Sequence, residues 1–118
     1  MSGILYKIVP EDVWQKARLA GVFDGAPVDH ADGFIHFSTA SQLRETAARH
    51  FAGEPDLLLV AVDGGLLGDD LVYEVSRGGA LFPHLYARLP LSAVLWEAPL
   101  PLLADGTHQF PELSDAAV

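Results

Sequence analysis

The stretch Leu57–Val75, LLLVAVDGGLLGDDLVYEV, decides the fold class. Leu57–Val62 is an unbroken apolar run, the pattern of a strand covered on both faces. Asp63-Gly64-Gly65 turns the chain, and Leu71–Val75 reads as a second strand. Before this stretch strands alternate with helices. After it only one further strand is clear, Ala93–Glu97, limited by Pro99 and Pro101. Early helices followed by a run of strands predict an α+β fold rather than a repeating βαβ chain.

The N-terminal half supplies two predicted helices. Ile4–Val9 is apolar with β-branched and aromatic residues, hence a strand. Pro10 opens a helix at its first position, and Glu11 and Asp12 suit the first turn. Val13, Trp14, Ala17 and Ala20 form its apolar face, and Gly21 ends it. Asp24–Asp32 reads as a polar loop and Phe34–Ser38 as a short strand. Thr39 and Gln42 have capping-box spacing, so a second helix begins there. It places Leu43, Ala47 and Phe51 on one face and stops at Gly53 and Pro55.

The chain has 118 residues, half of them hydrophobic, which predicts a single domain with its ordered core at about residues 3–113. It has no cysteine, which excludes disulfides, thiolate zinc sites and a cysteine nucleophile. The start, MSGILYKIVP, is not a secretory signal, and no apolar run approaches the ~20 residues needed to span a bilayer. A cytoplasmic protein is expected. With 7 basic and 16 acidic residues the net charge is −9, which argues against DNA or RNA as a partner.

Two segments lack acid in this acidic chain: the one between Asp32 and Glu45, and the one between Glu74 and Glu97. If they meet, a locally positive pocket for an anion such as phosphate is expected. In Gly33–Thr39, alternation puts Phe34, His36 and Ser38 on one face and Ile35 and Phe37 on the other. His84 and Tyr86 likewise share a face, with His84 as a donor and Tyr86 as a stacking platform. Arg77 and Arg88 are phosphate-gripping candidates. Gly78 and Gly79 permit either close approach to a ligand or an ordinary turn. Glu74 reads as solvent-facing or as an acid/base group; Lys7 carries the same ambiguity. Asp29, His30, Asp32 and His36 could bind a divalent metal, but their spacing fits no established motif, so a polar turn and no metal are expected.

The segments ILYKIVP, DGFIHFSTASQL and SRGGALFPHLYARLPLSAVLW, in that order, resemble a bacterial family known as domain of unknown function 952, over about Ile4 to Leu113. That family is similar, distantly, to the ADP-ribosyltransferase superfamily. The resemblance implies a split, mostly antiparallel β core with NAD, or a related phosphorylated nucleotide, in a cleft. Tyr6 or Lys7 then fills the first-strand position and His36 and Ser38 the second. His84 and Tyr86 lie near the third. His36 and His84 are the implied catalytic residues, and Tyr6, Lys7, Ser38, Arg77, Tyr86 and Arg88 the implied ligand contacts. No glutamate stands at the third position; the nearest carboxylate, Glu74, is ten residues earlier. The departure favours nucleotide binding or phosphoryl chemistry over ADP-ribosyl transfer. A non-catalytic binding or interaction module on the same fold, and a metal-dependent enzyme, are the alternatives.

Overall fold

A computed structural model describes residues 3–114. The elements run β1 (Ile4–Pro10), α1 (Glu11–Ala20), β2 (Val22–Phe23), α2 (Pro27–Asp32), β3 (Ile35–His36), α3 (Ala40–His50), β4 (Leu57–Asp63), β5 (Leu71–Val75), β6 (Leu81–Leu85), β7 (Leu89–Pro90) and β8 (Val94–Pro99). All strand pairs are antiparallel. They form a sheet ordered β1-β4-β8, a second ordered β3-β6-β5, and the small pair β2-β7. The fold is α+β. Among the described residues no helix is long and apolar enough to cross a membrane.

The central strand β4 separates two cores. Leu58, Val60 and Val62 pack on one side with Leu5 and Val9 of β1, Trp14 and Ala17 of α1, and Ile35, Phe37 and Leu85. Leu57, Leu59 and Ala61 pack on the other with Ile4, Tyr6 and Ile8 of β1, Leu43 and Ala47 of α3, and Leu100. The unbroken apolar run is needed because both faces of this strand are dry. Glu97 of β8 ties α1 to the sheet by accepting from Trp14 Nε1 at 2.7 Å and from the Arg18 guanidinium.

The structure departs from expectation in several places. The predicted polar loop holds a third helix, α2: Pro27 sits at its first position and Gly33 ends it in the left-handed region at φ 87°. Six residues are too few for amphipathic periodicity to show. Pro10 closes β1 and caps α1 instead of opening the helix, and Ala20 is exposed. The strand predicted at Phe34–Ser38 is confined to Ile35–His36, with Ser38 bridged instead to Tyr6. β6 carries no strand pattern in the sequence, because its centre is Pro83. The proline is tolerated because its carbonyl accepts from Phe37 N at 3.0 Å, so its missing N–H faces the β3 side beyond that strand's last pair.

Leu59 is fully buried and Leu19 is 81% exposed. Leu59→Ala is expected to lower unfolding free energy by ~2–5 kcal/mol. Leu19→Ala is expected to change it by less than about 0.5 kcal/mol. Urea denaturation of the two variants measures both.

Candidate functional site

The β3-β6-β5 sheet has an apolar inner face and a chemically loaded outer one. Ile35, Leu71 and Leu85 occupy matching inward positions; Ile35 and Leu85 are buried in the first core and Leu71 packs against it. On the other face His36 stands opposite His84, and Val72 opposite His84 on the far side. Glu74 pairs with Phe82, so it is the diagonal neighbour of His84, within reach of a long side chain. That register is set by a turn in which Gly78 and Gly79 both have positive φ, 70° and 80°, and Gly79 N donates to Ser76 O at 3.0 Å. The paired glycines are turn residues.

The result is a cluster of four rings and three carboxylates. His84 stacks on Phe34 with centroids 4.0 Å apart, and the two imidazoles meet edge-on at 5.6 Å. Phe34 also contacts His36 and Tyr86. Glu74 Oε1 lies 2.8 Å from His84 Nδ1 and accepts from the Tyr86 hydroxyl at 2.7 Å. These bonds, from His84 first and Tyr86 second, hold the Glu74 carboxyl below its usual value; the same bond raises the Tyr86 phenol. An ionised carboxylate only accepts, so the Nδ1 of His84 carries the proton. Its Nε2 has no hydrogen-bond partner among the described residues. Glu74 thus holds the ring in orientation with Nε2 turned away from it.

Behind His36 lies a buried charge node. Asp29 Oδ1 accepts from Lys7 Nζ at 2.9 Å and from the His36 backbone N–H at 3.1 Å, and sits 2.6 Å from His36 Nδ1. Its other oxygen accepts from Ala26 N at 2.8 Å, so the third helical residue satisfies the N-cap amide. Burial pushes the Asp29 carboxyl upward. The bond with His36, the Lys7 ammonium and the Ala26 amide outweigh it and bring it down to about 2. Burial lowers the Lys7 ammonium, and Asp29 opposes that. His36 Nε2 reaches Asp32 at 2.8 Å, so both ring nitrogens face carboxylates.

A hollow of about 420 Å³ adjoins this cluster. Phe34 and Tyr86 line it, with Gly33 and His30 on the α2 side and Asp24 and Arg88 among its polar groups. Arg88 is exposed and has no ion-pair partner among the described residues. His84 and His36 both pack on the Phe34 ring and are not in the hollow's wall.

The sequence-derived residues thus fall into groups. His36, His84 and Tyr86 come together, and Arg88 shares the hollow with Tyr86. Lys7 is buried behind His36 and acts on it through Asp29. Tyr6 points into the opposite core, where its hydroxyl donates to Ser114 O at 2.8 Å. Ser38 does not share the His36 face: β3 ends at His36, and Ser38 Oγ is buried 3.1 Å from Thr46 Oγ1 of α3. The Arg77 side chain lies outside the described residues. The expected acid-free, positive pocket is also corrected, since Asp29, Asp32 and Glu74 come in from flanking positions beside the imidazoles. Glu74, whose reading favoured solvent over an acid/base role, bonds His84 and Tyr86; the signal for that pairing is the double glycine between two extended stretches, the mark of a hairpin. The proposed metal set does not converge. His30 turns to Asp24 at 4.0 Å, and His36 and Asp29 bond each other; no group of three or more His, Asp or Glu side chains suited to a metal occurs among the described residues.

A family described as "Protein of unknown function (DUF952)" matches residues 8–97. The chain is similar to protein CC0527 from Caulobacter crescentus. Its crystal structure is 51% identical in sequence, with a TM-score of 0.87 over 90% of this chain and 93% of that one. Its solution NMR structure, also 51% identical, gives 0.81 over 90% and 91%. No curated protein matches the chain.

Acid is the natural probe of the Asp29 node. A carboxyl lowered in the folded state stabilises it above the unfolded value of about 4, and that contribution disappears as pH falls toward 2. Unfolding free energy should drop by roughly 2 kcal/mol from this residue between about pH 5 and pH 2. Asp29→Asn strands the Lys7 ammonium and is expected to cost about 3–5 kcal/mol at neutral pH while flattening that acid limb. Urea titrations across pH compare the two proteins.

Proposed function

Because the chain belongs to the DUF952 family of proteins of unknown function, its chemistry rests on its own side chains, and we propose that it binds NAD or a related phosphorylated nucleotide here, with His84 as acid–base group. The observation that carries the reading is the Glu74–His84 pair, which shares Phe34 and Tyr86 with the hollow. The hollow's volume is in the range of small-ligand sites. Phe34 and Tyr86 offer ring faces to a base, and Arg88 offers a phosphate a guanidinium that has no ion-pair partner among the described residues.

Glu74 bears on the reaction. Breaking the nicotinamide–ribose bond leaves positive charge on the sugar while nicotinamide departs with the bonding electron pair. A nearby carboxylate favours that transition state. An attacking hydroxyl forms the new bond to the same ribose carbon and gives its proton to His84 Nε2, a transfer that requires the Phe34 ring covering His84 to shift aside. What supports a transferase reading is this carboxylate: the β5-β6 hairpin register sets Glu74 beside His84. A phosphate beside the imidazoles is disfavoured by three carboxylates, whereas the Arg88 guanidinium offers it a counter-charge, set against Asp24 in the same hollow.

Calorimetry with NAD, ADP-ribose and AMP tests the reading. Arg88→Ala is expected to weaken binding by about tenfold, the worth of one charge-assisted hydrogen bond. His84→Ala and Glu74→Gln are expected to abolish NAD turnover, followed by nicotinamide release, while leaving ADP-ribose bound. NAD bound but never consumed assigns a purely binding role. No binding of any of the three ligands overturns the proposal.

A further inference from the structure

We propose that His36 is a proton-dependent latch that holds α2, and with it one wall of the hollow, against the β3-β6-β5 sheet. The latch is the double contact of one imidazole: Nδ1 on Asp29 at 2.6 Å and Nε2 on Asp32 at 2.8 Å. Both contacts are hydrogen bonds only when the ring carries both protons, because each carboxylate can only accept. Removal of one proton sets a nitrogen lone pair against a carboxylate oxygen at bonding distance, and that contact must open.

The two ends are not equal. Asp29 is fixed by Lys7, by the Ala26 amide and by the His36 amide, and its side chain is 1% exposed. Asp32 is 48% exposed, its side chain is bonded to His36 alone, and it is the last residue of the helix. The shorter, buried contact keeps its proton, so the bond to Asp32 is the one that opens. The remaining neighbours of His36 do not replace it. Phe34 offers a ring face from the loop before β3, and His84 of β6 meets His36 edge-on. The nearest charge on β5, Glu74, is engaged by His84 and Tyr86, and Lys7 of β1 acts only through Asp29. Asp32 therefore leaves as a free carboxylate.

The consequence reaches the hollow through the end of α2. Gly33 and Phe34 both line it, and both donate their amides to Asp29 O, at 2.8 and 3.2 Å. Those two bonds close the C-terminal turn of α2, which Asp32 ties to the sheet. Proton uptake by His36 thus orders the wall, and proton loss loosens it. This ordering concerns the hollow used in the proposed nucleotide reading, but it is a property of the free protein and is measured without ligand.

The test is NMR on the ¹⁵N-labelled full chain between about pH 5 and 8, the range in which histidines ordinarily change charge. The ring nitrogens of His36 report protonation. Amide exchange at Gly33 and Phe34, corrected for intrinsic rates, reports the wall. The expected result is a roughly 5- to 10-fold loss of protection, one hydrogen bond's worth, at the same midpoint at which Nε2 loses its proton. Asp32→Asn provides the decisive comparison. Its carboxamide accepts from a protonated Nε2 and donates to a bare one, so protection should stay level while the ring still titrates. Wild-type protection that ignores the His36 transition overturns the latch. So does a His36 ring that does not titrate in this range, or an Asp32→Asn protein that loosens as the wild type does.

Discussion

The carboxylate of Asp29 is the interaction on which the site depends. It receives hydrogen-bond donors from three separate parts of the chain: Lys7 on β1, Ala26 at the start of α2 and His36 on β3. Without it the short helix has an unsatisfied N-cap amide, the inner face of β1 carries a buried ammonium with no counter-charge, and His36 loses the contact that orients its ring. Burial alone would favour a neutral acid here; the convergence of donors keeps it charged. Ion pairs of this kind contribute little net stability against an apolar alternative, but they are costly to break singly, which makes the arrangement all-or-none.

Glu74 complements it at the surface. Asp29 is sealed and holds His36 from behind; Glu74 is partly exposed and holds His84 from the edge. Two imidazoles in edge contact therefore have different surroundings. One is bonded at both nitrogens, the other, among the described residues, at Nδ1 alone. That asymmetry is what an acid–base site requires, because groups in different environments take different roles. It also explains why the cluster is not an anion trap despite two histidines and a nearby arginine: the carboxylates that orient the rings also offset their charge.

Much of this was legible in the sequence, and what was not has identifiable causes. β4 announced itself because both its faces are covered, which demands an apolar residue at every position. His36 stood out as a polar residue within an apolar strand, and His84 and Tyr86, expected to share a face, both bond Glu74 Oε1. The same rule misplaced Ser38, since alternation applies only while a strand lasts and β3 stops after two residues. Tyr6 and Lys7 are adjacent, so they point to opposite cores, and no periodicity argument tells which core a site will adjoin. Glu74 escaped because the acid-free character of 75–96 is a statement about linear neighbours. A hairpin register brings in a diagonal neighbour from ten residues away. α2 was hidden by its length and by polar residues that look like a loop until Asp29 is seen turned inward.

The alternation that builds the β3-β6-β5 sheet also separates stability from chemistry. Ile35, Leu71 and Leu85 serve the core from one face, and His36, His84 and Glu74 occupy the other. Yet His84 is only 5% exposed, although it lies on the outer face. Its cover comes from Phe34 stacked above it and from the Glu74–Tyr86 bond beside it, which are themselves site residues. A ring shielded from water by its own partners feels the Glu74 carboxylate more strongly than an open surface pair would. The bond that orients His84 is therefore coupled to the packing of Phe34, and the two cannot be altered independently: loosening the phenyl ring admits water to the imidazole, and water weakens its hold on the glutamate.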